Sequence, residues 1–277
     1  MNAVRKTKAV SQLKALLGSA LVATSVMLVG CGDTTVDDAL RVGVIAGPEA
    51  DVMQVAADIA EKEHGVTVKL IEFSDYVAPN TALSEGSIDV NAFQHRPYLD
   101  SMVRDRGFEL TVVGNTFVYP IGAYSNKIKD MKELQEGARV AIPNDPSNEG
   151  RTLILLDQSG YIKLRDINNL EATPADIVEN PMNLRFIELD AAQLPRSLDD
   201  VDLAFINSTY AVPAGLLPTR DALLVEGRDS PYVNIIVSRE DNKTDERILK
   251  LVESYQTEAV EAKAEELFKG SAVAGWK

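Results

Sequence analysis

From residue 40 onward, short apolar runs alternate with longer stretches of helical periodicity. Residues 40–46 and 66–71 are rich in β-branched side chains, which is typical of strands. Between them, apolar residues recur at the spacing of an amphipathic helix up to Gly65. Strands that alternate with helices of this length predict an α/β architecture with mostly parallel sheets.

The same alternation continues to the end of the chain. The further predicted strands are residues 88–92, 110–113, 116–118, 139–142, 184–189, 203–206 and 232–238. The further predicted helices are residues 79–85, 97–106, 148–158 with Asn148 as the N-cap, 174–179, 245–255 and 258–268.

Two successive α/β sets predict two lobes. The first lobe is predicted to comprise residues 40–120 plus 232–277, and the second residues 121–231. The chain would cross near residues 119–122 and return near residues 230–233. A cleft between two such lobes is a common place for a ligand, so we expect the ligand cleft there.

The first thirty residues are predicted to be a signal peptide. They contain basic residues and no acid, followed by an uncharged apolar stretch from residue 15 to residue 30. Leu28-Val29-Gly30-Cys31 resembles a bacterial lipobox. That resemblance implies cleavage before Cys31 and its modification by acyl chains such as palmitate. The alternative is an uncleaved signal anchor in which the cysteine is incidental.

Residues 31–39 are predicted to be the lipidated cysteine and a polar tether. Cys31 is the single cysteine of the chain, which excludes an intrachain disulfide and a cysteine-based metal cage. The chain has 28 Lys and Arg against 42 Asp and Glu, a net charge of -14. This acidic balance argues against nucleic acid as a partner, because phosphate binding needs clustered basic residues.

The sequence carries no recognisable catalytic signature. G-x-S-x-G, H-E-x-x-H and C-x-x-C are all absent. The two histidines, His64 and His95, offer too few ligands for a metal site. We therefore expect no enzyme activity, no cofactor and no metal.

The aromatic residues are concentrated in one part of the chain. Tyr76 follows the second predicted strand and Phe93 the third. In open α/β sheets, ligands bind beyond the carboxyl ends of strands, so these rings are candidates for an apolar pocket wall. The alternative for each ring is an ordinary place in the core. The aromatic residues of this stretch are Phe73, Tyr76, Phe93, Tyr98, Phe108, Phe117, Tyr119 and Tyr124.

Polar candidates also follow predicted strands. Arg151 lies in the first turn of a predicted helix, where an anion is favoured and a guanidinium can hold a carboxylate. The alternative is a surface arginine paired with Glu149 or a nearby acid. Asn207 follows an apolar strand, and Asn234 lies inside another, where an unbonded amide would be costly. One cation, two amides and an aromatic wall would suit a small zwitterion with an apolar side chain.

Several long motifs resemble the methionine-binding lipoproteins of bacterial ABC importers, the MetQ/NlpA family. The resemblance extends in order over residues 40–276. The motifs lie at residues 73–83, 89–99, 114–120, 142–151, 193–198, 230–234 and 275–276.

The resemblance implies a two-lobed periplasmic-binding-protein fold, type II-like. It implies capture of methionine and delivery to an ABC permease with its ATPase subunit, without catalysis. The protein would be lipid-anchored in the cell envelope, facing the periplasm or the exterior. L-methionine is the expected ligand, and D-methionine or methionine derivatives stay open. The alternative is an envelope lipoprotein of the same fold with a different small ligand or an adhesion role.

The resemblance also assigns candidate ligand-binding residues. Some would form the wall around the thioether and the pocket rim, and the others would hold the amino-acid backbone. His95 and Tyr98 have the alternative role of supporting the fold of their motif. The wall residues are Tyr76, Phe93 and Tyr98, the rim residue is His95, and the backbone-holding residues are Arg151, Asn207 and Asn234.

Overall fold

The computed structural model describes residues 38–227 and 230–277. The predicted signal peptide, Cys31 and most of the predicted tether lie outside the described residues. Asp38, at the described end of that tether, accepts a hydrogen bond of 2.9 Å from the Arg247 guanidinium. No helix within the described part of the chain is both long and apolar enough to cross a bilayer.

Strands and helices follow the predicted alternation closely. The strands are β1 (Leu40–Ile45), β2 (Val68–Phe73), β3 (Val90–His95), β4 (Leu110–Val118), β5 (Ile121–Tyr124), β6 (Arg139–Pro143), β7 (Lys163–Leu164), β8 (Ile177–Glu179), β9 (Arg185–Leu189), β10 (Leu203–Asn207), β11 (Leu224–Val225), β12 (Val233–Arg239) and β13 (Val273–Ala274). The α-helices are α1 (Pro48–His64), α2 (Ala78–Ser84), α3 (Arg96–Arg106), α4 (Pro146–Gln158), α5 (Ser208–Ala211), α6 (Pro218–Asp221), α7 (Glu246–Tyr255) and α8 (Glu258–Phe268).

Two sheets organise the described residues, and each is the centre of one lobe. The first lobe contains a six-stranded sheet in the order β13-β4-β12-β3-β1-β2. The second lobe contains a five-stranded sheet in the order β11-β5-β10-β6-β9. The first core lies where α1, α7 and α8 pack on the sheet, and the second core lies around β6, β10 and α4.

The prediction of mostly parallel sheets is wrong, because both sheets are mixed. Strand β12 runs antiparallel to both β3 and β4, and β5 runs antiparallel to both β10 and β11. The reason is the path of the chain. It leaves the first lobe at the carboxyl end of β4 and returns at the same edge, so the returning strand must run the opposite way.

Two local predictions also need correction. Asn148 is not the N-cap of α4. Asp145 holds that position and accepts the backbone N–H of Asn148 at 3.0 Å, while Pro146 occupies the first turn, where its missing N–H costs nothing. Residues 174–179 are not a helix. A short 3-10 turn, Pro174–Asp176, leads into β8, where Ile177 and Glu179 pair with β7.

Candidate functional site

One cavity collects every residue that the sequence analysis named for the ligand. It contains about 330 Å³ of space not filled by atoms, part of it open to solvent. Gln94, Asn148, Ser208 and Thr209 also line it and are not among the ligand-binding residues expected from the sequence, and Tyr119 of the aromatic stretch lines it too. The predicted residues in its lining are Tyr76, Phe93, His95, Tyr98, Arg151, Asn207 and Asn234.

The ends of strands from both sheets place these side chains. Tyr76 follows β2, His95 ends β3 and Asn207 ends β10, so the cavity lies at the carboxyl edge of the strands, as expected for an open α/β sheet. Asn234 lies in β12 opposite His95. The register of β12 with β4 shifts between Val233 and Ile235, across Asn234, and its register with β3 shifts between Ile235 and Ile236. Such irregularities commonly redirect a side chain beside a functional site.

An aromatic cluster forms the apolar end of the cavity. The ring centroid of Tyr76 lies 5.9 Å from that of Phe93 and 6.1 Å from that of Tyr98. The Tyr98 hydroxyl donates to the Tyr76 carbonyl at 2.8 Å and so fixes the loop after β2. Tyr119 also lines the cavity, whereas Phe117 and Phe108 pack in the cores, so both alternatives for the aromatic stretch occur.

Arg151 is buried and fully oriented. Its Nε donates to Glu226 at 2.9 Å, and its Nη2 pairs with the second oxygen of Glu226 and donates to the Tyr119 carbonyl at 2.9 Å. Its side chain is 3% exposed, and its guanidinium carbon lies 4.5 Å from the centroid of the Tyr232 ring. The alternative in which Arg151 is a surface residue paired with Glu149 is therefore wrong. The acid that pairs with Arg151 is Glu226, which is distant from it in the sequence and is not marked there by any motif.

Asn148 connects two of the candidates. Its Oδ1 accepts a hydrogen bond from Asn207 Nδ2 at 2.9 Å and contacts His95 Nε2 at 3.2 Å. Asn207 therefore directs its other atom, Oδ1, away from this contact. That Oδ1 is buried and has no hydrogen-bond partner among the described residues. A buried acceptor of this kind is suited to a ligand that donates, such as an ammonium group.

His95 is neutral at physiological pH. Burial, and then the charge of Arg151, lower the pKa of His95 to about 3. Its Nδ1 accepts the backbone N–H of Tyr98 at 3.2 Å at the start of α3. The hydrogen-bond network thus assigns the ring proton to Nε2, which donates to Asn148. His95 both lines the cavity and caps a helix.

Asn234 is bonded, as an amide inside an apolar strand requires. Its Nδ2 donates to the carbonyl of Phe93 at 3.3 Å, and the residue is 8% exposed. The amide therefore links β12 to the strand that carries Phe93 and His95. This contact holds two predicted site residues in a fixed relation across the sheet.

A network of buried amides supports the cavity from behind. Asn80 Oδ1 accepts hydrogen bonds from Gln94 at 2.7 Å and from Asn91 at 3.0 Å, and Asn80 Nδ2 donates to Gln94 at 2.8 Å. All three side chains are almost inaccessible to solvent. Because Gln94 lines the cavity, this network joins α2 to the cavity wall through β3.

Glu49 connects the two lobes beside the cavity. It lies in the first turn of α1 in the first lobe, is 6% exposed, and accepts a hydrogen bond from the Thr209 hydroxyl of α5 in the second lobe. Burial raises the pKa of Glu49 to about 7, and the Thr209 hydrogen bond opposes this only in part.

This pKa predicts a pH-dependent stability. The folded pKa of Glu49 lies above its ordinary value of 4.5, so the stability that Glu49 contributes is fully present below pH 4.5 and is lost as the pH rises through 7. At about 1.4 kcal/mol per pKa unit, the loss amounts to about 3 kcal/mol. We expect the free energy of unfolding, measured with urea, to fall less between pH 5 and pH 8 in Glu49→Gln than in the parent. Burial also raises the pKa of Glu149 to about 7, but Glu149 is present in both proteins, so its effect on stability cancels in the comparison. An equal drop in both would contradict the prediction.

The fold and the cavity between its lobes define a two-lobed solute-binding protein. The family model described as NlpA lipoprotein matches residues 40–276. The chain belongs to the NlpA lipoprotein family, which confirms the resemblance seen in its motifs.

Relatives and solved structures agree with this assignment. A probable D-methionine-binding lipoprotein MetQ of Vibrio cholerae serotype O1 is 54% identical over 265 residues, which cover 95% of this chain and 98% of the relative. The crystal structure of the methionine-binding protein MetQ matches with a TM-score of 0.85 at 54% identity, covering 87% of this chain and 99% of that one. A nutrient-binding protein from Burkholderia cenocepacia bound to methionine matches with a TM-score of 0.82 at 49% identity, covering 85% and 99%. These matches confirm the expected fold class.

Proposed function

We propose that this protein captures methionine in the cavity between its lobes and delivers it to an ABC importer. The observation that carries the proposal is the division of the cavity into two chemically different ends. The aromatic end consists of Tyr76, Phe93 and Tyr98, and the polar end contains Arg151 and Asn207. The names of the similar proteins, which bind methionine or D-methionine, support the same ligand.

The two ends would hold the two parts of an amino acid. The Arg151 guanidinium would bind the carboxylate, because it is buried, charged and already oriented by Glu226. Asn207 Oδ1 would accept from the ammonium group, and Asn234 would complete the polar end. Sulfur against aromatic rings contributes about 0.3–1.5 kcal/mol, and burial of the side chain contributes about 1.5–3 kcal/mol. His95, being neutral, would add no second charge at the cavity rim. No step in this proposal is catalytic.

Delivery would place the protein on the outer side of a membrane. In this proposal Cys31 carries the lipid anchor, residues 31–39 are the tether, and the partners are the permease and its ATPase subunit. The proposed lobes are residues 40–120 plus 232–277 and residues 121–231. This division is supported by the sheets, since β1–β4, β12 and β13 belong to one and β5, β6 and β9–β11 to the other.

Thermal unfolding of residues 32–277 tests which ligand the protein binds. The protein would first be unfolded and refolded to remove any bound molecule, and then heated with L-methionine, D-methionine, leucine or alanine. A ligand at a hundred times its Kd stabilises the folded state by about 2.7 kcal/mol. We expect a large rise in Tm with L-methionine and little change with leucine or alanine. No rise with either methionine isomer would contradict the proposal and favour a different small ligand.

A further inference from the structure

Tyr210 does not line the cavity, yet it contacts the cavity's aromatic end from the other lobe. It lies in α5, directly after β10 of the second lobe. The centroid of its ring lies 5.1 Å from that of Tyr76, at an interplanar angle of 50°. Its hydroxyl also lies 3.5 Å from the Ser74 carbonyl. Tyr76, a residue of the cavity wall in the first lobe, thus packs against the ring of Tyr210 in the second lobe.

A large groove lies on the far side of this ring pair. It contains about 1340 Å³ of unfilled space, much of it open to solvent. Ser74 and Asp75, which directly precede Tyr76, line the groove together with Tyr210. Thr209 lines both the groove and the cavity. The Tyr76 and Tyr210 rings therefore separate the apolar end of the cavity from the groove.

The position of the Tyr76 ring depends on its neighbours. The Tyr98 hydroxyl bond and the Asp75 carboxylate, which accepts the Val77 N–H at 2.9 Å, fix the backbone of the loop but not the Tyr76 side chain. Phe93 and Tyr98 contact the ring from the first lobe, and the Thr209 side chain interacts with the Tyr76 hydroxyl from the second. Tyr210 contacts the Tyr76 ring from the second lobe and itself lines the groove, so removal of the Tyr210 ring would take away the ring that supports Tyr76 on the groove side.

We propose that Tyr210 sets the length of the side chain that the cavity accepts, by holding the Tyr76 ring as the end wall. This inference rests on the proposed function. Tyr210 is a positioning residue that acts through Tyr76 without contact with the ligand. Without it, the cavity extends into the groove and admits a longer thioether.

The test compares the Kd of methionine with that of ethionine, its S-ethyl homologue, by calorimetry on the full-length lipoprotein in detergent. One methylene in a closed apolar pocket changes affinity by about tenfold or more, so we expect the parent to prefer methionine by that factor. Tyr210→Ala should reduce the preference about tenfold. Tyr210→Phe retains the ring and should retain the preference.

Tyr161→Ala serves as the matched control, because Tyr161 packs on the second-lobe core and does not line the cavity. It should leave the preference unchanged. If Tyr210→Ala weakens both ligands equally, or if the parent does not distinguish them, the inference is wrong. Tyr210→Leu replaces the alanine variant if thermal unfolding shows that the latter is not folded. A parent that binds neither methionine isomer contradicts the proposed function instead.

Discussion

Arg151→Leu should lower the affinity for methionine by about a hundredfold or more. Removal of one partner from a buried, hydrogen-bonded charge pair costs about 2–5 kcal/mol, and each 1.4 kcal/mol is tenfold in Kd. Here the ligand carboxylate would lose its cation inside a site where Arg151 is 3% exposed. Calorimetric titration with methionine measures the change.

Two further variants separate ligand binding from folding. Arg165→Leu removes an arginine of the same lobe whose side chain is 68% exposed and pairs with Asp176 at the surface, so its affinity should match that of the parent. Arg151→Leu combined with Glu226→Gln removes the acid that the single variant leaves buried without its cation. The double variant should regain stability and still fail to bind. Binding within tenfold of the parent by either Arg151 variant would show that the carboxylate is held elsewhere.

Asn80→Ala should reduce the free energy of unfolding by about 3 kcal/mol. The substitution removes three hydrogen bonds and leaves Gln94 Oε1 without a partner, whereas Gln94 Nε2 still donates to Asn91 Oδ1 and Asn91 Nδ2 still donates to the Pro79 carbonyl. One unsatisfied buried polar group costs about 1–3 kcal/mol, and the two other lost bonds add to this cost, so a loss near the upper end of that range is expected. Urea unfolding measures it, through a lower midpoint at an unchanged slope.

Asn126→Ala is the control for this substitution. Asn126 donates to Asp199 at 2.8 Å in an exposed pair, and surface changes of this kind usually remain within about 0.5 kcal/mol. Asn80→Ala should also weaken methionine binding, because Gln94 lines the cavity. A loss of stability as small as that of Asn126→Ala would mean that the network relaxes around the vacancy.

The sequence predicts best the helices whose ends are marked by their own neighbouring residues. α8 begins and ends at the predicted residues, and α1 ends before Gly65, which adopts a left-handed φ of 69°. β5 was not predicted, because four residues without strong alternation become a strand only by pairing with β10 and β11. The prediction of Asn148 as the cap is wrong although the sequence carries the deciding signal, because Pro146 favours the first position of a helix and so makes Asp145 the cap.

The site was predictable to the extent that its chemistry follows strand ends. Asn207 and Phe93 were identifiable because polar and aromatic residues near the ends of apolar strands stand out from their surroundings. Glu226 was not, because its bond to Arg151 joins residues 75 positions apart and many acids of this acidic chain were equal candidates. The Asn80 network was missed for a similar reason, since amides on α2 and β3 become partners only when those elements pack.

The return of β12 beside β4 has a consequence for how such a protein can change. Val118 and Val233 are direct partners in the ladder of these strands, so the chain enters and leaves the second lobe at one point of the first sheet. In topological terms the second lobe is an insertion into a hairpin, and its replacement would leave the hydrogen-bonded order of the first sheet intact. Arg151, Asn207 and Tyr210 would be exchanged with it, while Tyr76, Phe93 and Asn234 would stay behind. The two crossover points of such an exchange lie side by side in the first sheet, although the whole second lobe separates them in the sequence.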